Sequence, residues 1–244
     1  MKNTPSLQCA TFVKRYKRFF ADVLDQHGRL ITLHCANTGS MKNCQVEGSA
    51  CWYSLSDNPK RKLPGTLEIV TTSHGNLAGV NTAKPNHLVR EAIEADLIPE
   101  LVGYQQIRTE VRYGAEKSRI DLLLEDNERG LCYVEVKNVT LDAGNGLALF
   151  PDAVTSRGAK HLRELIAMVA AGHRAVLFFC VQLTGVDRME VATDIDPNYA
   201  RIMAQAVATG VEVMAWSTVL TANETRLHRS ISCLQDLPVP ELSD

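Results

Sequence analysis

Between Arg119 and Asn138, two apolar-rich runs, Arg-Ile-Asp-Leu-Leu-Leu and Leu-Cys-Tyr-Val-Glu-Val-Lys-Asn, flank the polar stretch Asp126-Asn127-Glu128-Arg129-Gly130. Strand-like runs on either side of a short, Gly-containing loop predict a β-hairpin. If the five polar residues form the loop, Asp121 falls opposite Glu135 and Arg119 opposite Lys137. Directly opposed residues share a face. One face then carries Ile120, Leu122, Leu124, Cys132, Val134 and Val136, a core face, and the other carries Asp121, Glu135 and Lys137. Two carboxylates roughly 5 Å apart across a strand pair repel unless something positive lies between them. Oxygen ligands so arranged suit a divalent cation, with Lys137 as a fixed positive charge on the same face. The alternative, a solvated hairpin face, fits poorly with a mid-chain segment set among helical stretches that would cover a sheet on both sides. A register slip of one residue would separate the acids.

The remaining text places this hairpin in a second domain, residues 84–244, preceded by a first domain, residues 1–83. In the first, strand-like runs at 19–24, 29–35, 50–56, 67–72 and 77–82 are punctuated by Gly28, Gly39, Gly48, Pro64-Gly65 and Gly75. Five short strands without a convincing helix predict a small closed barrel of the OB type. Ahead of them, the run Phe12 to Phe20 interleaves Lys14, Arg15, Lys17 and Arg18 with aromatics that include Tyr16. Such a run suits a strand of nucleic acid, with phosphates on the cations and bases on the rings. The alternative is a basic edge that blocks strand-to-strand aggregation, and the alternation of aromatics with charges favours binding. Thr38 and Ser40, in Asn37-Thr38-Gly39-Ser40, offer donors to a phosphate or form an ordinary turn.

Charge follows the same division. Residues 1–83 hold ten Lys or Arg against five acids, and the remainder holds sixteen against twenty-three, within a net charge of −2. A basic module joined to an acidic one predicts that the first attracts an anion.

In the second domain, Pro85-Asn86 predicts a helix start with Asn86 as N-cap, Leu88, Val89, Ala92, Ile93 and Leu97 as its apolar stripe, and Pro99 as its stop. A strand over 105–113 precedes the hairpin. Residues 138–154, with Gly144 and Gly146, read as a long loop leaving directly from the Lys137 strand and able to close over it. Thr155 or Ser156 caps a second helix ending at Gly172, on which Arg157 and His161 lie one turn apart. His161 reads equally as a surface histidine. The apolar run 175–181 predicts a central strand covered on both faces. Asp196-Pro197 opens a further helix, 211–216 a further strand, and Pro238 with Pro240 a poorly structured tail. The order α-β-β-β-α-β predicts an α/β domain with a mixed central sheet. There is no internal repeat, P-loop or dinucleotide glycine fingerprint.

No run approaches the ~20 apolar residues of a membrane helix, and the first residues lack an apolar signal core, so a cytoplasmic protein without a membrane partner is expected. Seven cysteines without a Cys-x-x-Cys fit reduced thiols. His34 with Cys35, Cys44 and Cys51 matches no usual zinc spacing.

An Asp on one strand followed by Glu-x-Lys on the next resembles the PD-(D/E)xK nuclease-like superfamily. Four longer stretches carry more: His34 to Met41, Arg119-Ile-Asp121, Glu135-Val-Lys137-Asn138, and Phe150 to Leu162 with Pro151, Asp152, Thr155, Arg157 and His161. Together they resemble the sugar fermentation stimulation protein family over nearly the whole chain. That resemblance implies a third acid from the first helix at Glu91, with Glu94 as its neighbour, and a Val136 backbone carbonyl completing a site for Mg²⁺ or Mn²⁺. It also implies polar help from Arg157 and His161. DNA is the implied partner, bound either for cleavage by a nuclease site of Asp121, Glu135, Lys137 and Glu91, or by a non-catalytic regulator of sugar, particularly maltose, metabolism.

Overall fold

A computed structural model describes residues 1–233. The first strand, β1 (Gln8–Tyr16), is followed by β2 (Phe20–Leu24), β3 (Leu30–His34), β4 (Ala50–Leu55), β5 (Gly65–Thr71) and β6 (Leu77–Gly79). Their order is β3-β2-β1-β4-β5-β6, and a parallel pairing of His34 with Thr66 joins β3 to β5. That pairing closes five strands into the expected OB barrel. Phe12, Ala21, Val23, Leu33, Cys51 and Leu67 fill it, all at most 2 % exposed.

The basic-aromatic run does not precede the barrel; it supplies β1 and the turn after it. Phe12 points inward, Lys14 outward, and a register shift between them lies beside β2. Lys17 and Arg18 follow at φ 48° and 62°, and Tyr16 pairs with Phe20 across this three-residue turn. Charges on alternate, solvent-facing positions of a barrel strand cost little, so the strand tolerates them.

The α/β domain opens with α1 (Pro85–Glu94). Its N-cap is Lys84, without a side-chain cap, and Pro85 takes the first helical position. Asn86 therefore lies inside the first turn. The helix ends before Pro99, which opens a 3₁₀ turn (Pro99–Leu101). Leu88, Val89, Ala92 and Ile93 are buried as expected, but Leu97 is exposed and Ile98 takes the buried place.

The central sheet is built from β7 (Gln106–Tyr113), β8 (Ser118–Asp126), β9 (Gly130–Val139), β12 (Arg174–Val181), β14 (Glu212–Leu220) and β15 (Thr225–Ser230), in the order β15-β14-β12-β9-β8-β7. Strand β12 runs parallel to both β9 and β14, and the other pairings are antiparallel, which gives the mixed sheet. Seven of its eight residues are buried, as a covered central strand requires. Helix α1 packs on one face against Leu122, Leu124, Val134, Val136 and Phe178. Helices α2 (Ser156–Ala170) and α3 (Pro197–Ala208) cover the other with Leu123, Tyr133, Leu177 and Phe179. The Thr155 hydroxyl and the Asp196 carboxylate cap them, accepting from the N–H groups of Gly158 and Tyr199.

The stretch 138–154 is not a loop. Strand β9 continues to Val139, and β10 (Leu141–Gly144) and β11 (Leu147–Phe150) form a hairpin. With β13 (Arg188–Val191) and β16 (Ser232–Cys233) they make a second sheet, ordered β10-β11-β13-β16. Asn145 and Gly146, at φ 51° and 79°, form the turn that resembled loop chemistry. The tail with Pro238 and Pro240 lies outside the described residues.

This hairpin also ties the domains together. Asp142 is fully buried and accepts from Thr72 Oγ1 at 2.6 Å, Asn76 Nδ2 at 2.9 Å and its own turn's Gly144 N–H at 2.9 Å. Burial pushes its carboxyl up, but the Thr72 hydroxyl, the Gly144 N–H and the Asn76 amide outweigh burial and hold it below the ordinary range. Asp142→Ala should leave these buried donors without an acceptor and lower unfolding free energy by about 3 kcal/mol in urea titrations. An unchanged midpoint would show that the joint does not rest on this carboxylate.

Candidate metal centre and nucleic-acid interface

The hairpin register is the one expected: Leu122 pairs with Val134, Leu123 with Tyr133, Leu124 with Cys132 and Glu125 with Leu131. The turn is tighter, since Asp126 also pairs with Gly130 and leaves three residues between them. The Asp126 carboxylate accepts from the N–H groups of Glu128 and Arg129, both at 2.9 Å, and Gly130 takes φ 74°, which only glycine adopts readily.

At the other end the ladder stops with Leu122–Val134, one step short of the two acids. There Asp121 Oδ2 accepts from the Val136 N–H at 2.8 Å, so its side chain takes a place a backbone carbonyl would have held. On the neighbouring strand, Glu110 stands opposite Asp121 in left-handed conformation, φ 55°, between the pairs Thr109–Leu122 and Val111–Ile120. Side-chain alternation breaks at this point. Ile120 packs into the α2-side core, while Leu122, Leu124, Cys132, Val134 and Val136 pack on the α1 side. Five of the six residues expected on one face share it.

Glu135 is 2 % exposed. Its Oε1 meets Lys137 Nζ at 2.6 Å and is also in contact with His161 Nδ1. Its Oε2 is buried with no hydrogen-bond partner. Arg157 Nε donates to His161 Nε2 at 3.4 Å. His161 Nδ1 lies 3.0 Å from Lys137 Nζ as well as against Glu135 Oε1, so Lys137, Glu135 and His161 form one buried cluster. His161 is thus buried and part of the site, not a surface histidine. Asp121 Oδ1 accepts from Asn86 Nδ2 at 2.8 Å.

The two carboxylates differ electrostatically. Burial, then the negative charge of Glu135, push Asp121 up to about 6, against smaller lowering by the Val136 N–H, Lys137 and Asn86. Burial also pushes Glu135 up, but Lys137 and His161 more than offset it and hold Glu135 below the ordinary carboxylate range. Among the described residues no group of three or more His, Cys, Asp or Glu side chains forms a metal cage. The carboxylate pair does fit a divalent cation. The orphaned Glu135 Oε2 has free lone pairs in a buried place, and the repulsion that raises Asp121 is what a cation would relieve.

Glu91 is not brought to this pair. It is exposed, and its Oε2 accepts from the Met1 ammonium at 2.6 Å. Glu94 pairs with Arg90 at 2.7 Å. The α1 residue that touches Asp121 is Asn86, whose place in the first turn frees its side chain from capping.

The barrel residues gather elsewhere. A cleft of about 520 Å³ is lined by Arg15, Arg18, Thr38 and Ser40 on the barrel side and by Phe150, Asp152 and Thr155 on the other. Arg15 shapes the cleft wall: its guanidinium donates to the carbonyls of Asn37 at 2.7 Å, Gly39 at 3.1 Å and Arg18 at 3.1 Å. Ser40 Oγ donates to Asp152 Oδ2 at 2.9 Å, which pins this loop across the domain boundary. Lys17 and Arg18 are exposed at the turn, as is Lys14. Lys14 Nζ lies 5.6 Å from the Tyr16 ring centroid, and Tyr16 stacks on Phe20. Thr155, at the far wall of the cleft, caps the helix that carries Arg157 and His161 to Glu135.

Comparison with known proteins agrees with this two-part construction. Residues 13–80 match the SfsA N-terminal OB domain, and residues 83–224 match the sugar fermentation stimulation protein RE domain. The chain belongs to the sugar fermentation stimulation protein family. A family homolog from Teredinibacter turnerae is 57 % identical over 223 residues, covering 91 % of this chain and 95 % of that one. Another from Aeromonas hydrophila is 54 % identical over 87 % of each chain. The structure of Pyrococcus furiosus SfsA in complex with Ca²⁺ superposes with a TM-score of 0.85 at 27 % identity, covering 96 % of this chain and 98 % of that one. The family's fold thus spans the barrel, the carboxylate pair and the cleft. No helix among the described residues is long and apolar enough to cross a membrane.

The raised Asp121 carboxyl sets a pH dependence in metal-free buffer. Its folded value, about 6, lies above the unfolded one near 3.8. The folded state therefore holds the proton more tightly, and that contribution is full at low pH and lost as pH rises through 6. Asp121→Asn removes the repulsion permanently. Its melting temperature relative to wild type should rise between pH 5 and pH 7.5 in EDTA, and a flat difference would contradict the assigned pair.

Proposed function

We propose that this protein binds nucleic acid, DNA in the first instance, and hydrolyses its phosphodiester bonds with a divalent cation, Mg²⁺ or Mn²⁺, at Asp121 and Glu135. The observation that carries this reading is the buried, partnerless Glu135 Oε2 beside a second carboxylate, with Lys137 Nζ 2.6 Å from the other Glu135 oxygen. Placement of this pair in the PD-(D/E)xK nuclease-like pattern fits the α-β-β-β-α-β order. The Pyrococcus furiosus relative, solved in complex with Ca²⁺, lends support for a divalent cation in this fold.

The residues divide the work as follows. Asp121 and Glu135 hold the cation, with the Val136 carbonyl available to it, and Asn86 keeps the Asp121 side chain in place. The cation, when bound, supplies Lewis-acid polarisation of the phosphate and of the attacking water. Lys137 orients that water and offsets charge developing on the phosphoryl oxygens. His161 steadies Glu135 and Lys137 through its Nδ1, and Arg157 holds His161 and faces the anionic substrate. Lys14, Lys17 and Arg18 contact phosphates at the barrel, Tyr16 offers a stacking face, and Thr38 and Ser40 line the path between them. Glu91, paired with Met1, has no ligand role on this assignment. Localisation in the cytoplasm follows from a nucleic-acid substrate and reduced cysteines.

A second reading, DNA binding without catalysis in the regulation of sugar metabolism, has its own observation. Lys137 already neutralises one Glu135 oxygen, which His161 also contacts, so this buried acid has a charge partner other than a cation. Lys137→Met separates the two. On the catalytic reading it should cut cleavage at least about 100-fold while changing Kd for DNA only a few-fold, because Lys137 acts on the transition state. The test is incubation with single- and double-stranded DNA and RNA in Mg²⁺ or Mn²⁺. Wild-type protein that cleaves none of them leaves only the binding reading.

A further inference from the structure

The β7–β8 turn carries a second basic surface, away from the barrel. Arg112 and Arg119 are direct cross-strand partners, and Tyr113 pairs with Ser118 next to them. Like charges placed directly opposite on adjacent strands repel. Arg112, Lys117 and Arg119 are all exposed, and they line a recess of about 630 Å³ with Tyr113 and Gly114. None of the three is in an ion pair among the described residues.

The acids nearest the recess are occupied. The Glu116 carboxylate is held by Arg163 through two hydrogen bonds, at 3.0 and 2.9 Å. Glu164, buried beneath the turn, accepts from the Glu116 N–H at 2.6 Å. Lys160 donates to the Glu116 carbonyl, so three residues of α2 fix the turn. Gly114, at φ 71°, packs against the Glu164 carboxylate with no room for a side chain. The turn is therefore rigid, and its one acid faces the helix while its three cations face solvent. Glu110 is the one acid on β7, two residues before Arg112, and it makes no ion pair with any of the three cations.

We infer that Arg112, Lys117 and Arg119 form a second phosphate-contact surface, over which the nucleic-acid strand continues after passing Asp121 and Glu135. The inference rests on the reading of the carboxylate pair as a nucleic-acid site. Arg119 lies two residues before Asp121 on β8, about 7 Å of strand. At that separation Arg119 is within reach of a phosphate neighbouring the one at the carboxylates. The barrel cleft ends at Thr155, which caps the helix that carries Arg157 and His161 to Glu135. The β7–β8 turn lies at the sheet edge beyond them. The substrate is thus a strand held on both sides of the bond that reacts, not one ending at the carboxylates.

The test is anisotropy with labelled single-stranded oligonucleotides in EDTA, so that nothing is cut, across a series of salt concentrations. Arg112→Ser/Lys117→Ser/Arg119→Ser should weaken binding at least tenfold. It should also flatten the dependence of log Kd on log salt by about two, at ~0.7 for each lost contact. Arg112→Ser alone, which leaves β8 intact, should flatten it by about 0.7 and keeps the test decisive if the triple variant folds poorly. If both variants match wild type while Lys14→Ser/Lys17→Ser/Arg18→Ser loses affinity, the second surface is overturned and the barrel reading stands. If the triple variant loses heparin binding but keeps oligonucleotide binding, the surface serves another polyanion and the inference fails. If wild type binds no oligonucleotide at all, the proposed function fails with it.

Discussion

The hydrogen bond from the Val136 N–H to Asp121 is the point where the central sheet stops being regular, and the site depends on that stop. Had the β8–β9 ladder run one pair further, Asp121 and Glu135 would have been backbone partners, their side chains parallel on one face. The carboxylate of Asp121 lies instead where it reaches α1 through Asn86 as well as β9. Glu110, in a conformation that costs a non-glycine residue about 1 kcal/mol or more, lets β7 follow the break. Strain, an interrupted ladder and repelling carboxylates coincide at one position. Such features are retained where the surrounding structure over-determines them, and here they are flanked by two hydrophobic clusters.

Around that point the structure supplies compensating charge in a graded way. Glu135, the more deeply buried acid, receives both Lys137 and His161 and titrates low. Asp121 receives neutral donors and titrates high. The asymmetry follows from position: Glu135 projects toward α2, which carries His161 and Arg157, while Asp121 turns toward the first turn of α1. A buried charge cluster of this kind is weak evidence for stability, because desolvation offsets much of the Coulombic gain. Its arrangement is better explained by chemistry than by packing.

Much of this was legible in the sequence, for local reasons. The hairpin register follows from period-two alternation about a polar turn, the buried β12 from an unbroken apolar run, and α2 and α3 from Thr155 and Asp196 as caps. Arg157 and His161 were legible as a pair because residues four apart on a helix face the same way. The failures were tertiary. Asn86 carries the signature of an N-cap, and only the position of Pro85 and the approach of β8 turn it toward Asp121. The β10–β11 hairpin has glycines and Asn145 typical of a loop, and its strand character comes from pairing with β13, far along the chain. Strand β1 was hidden by its charges, which lie on the outside of the barrel or, for Arg15, on loop carbonyls. Glu91 was placed by analogy with related sites, and nothing local could show that Met1 would meet it.

The joint at Asp142 has a geometric corollary. Barrel and α/β domain share a continuous hydrophobic cluster, running from Phe12 and Leu33 through Val80 and Leu183 to Leu177 and Phe179. With Asp142 and Asp152 each bonded across the boundary, the two parts cannot swing independently without breaking these hydrogen bonds, of which Thr72 to Asp142 is buried. The joint therefore limits how far the span from the barrel to the carboxylates can change. On the proposed function, a strand gripped at the barrel presents the same numbered bond to Asp121 and Glu135 each time. The distance from grip to cut would then be set by the domain joint, and not by any recognition of base sequence.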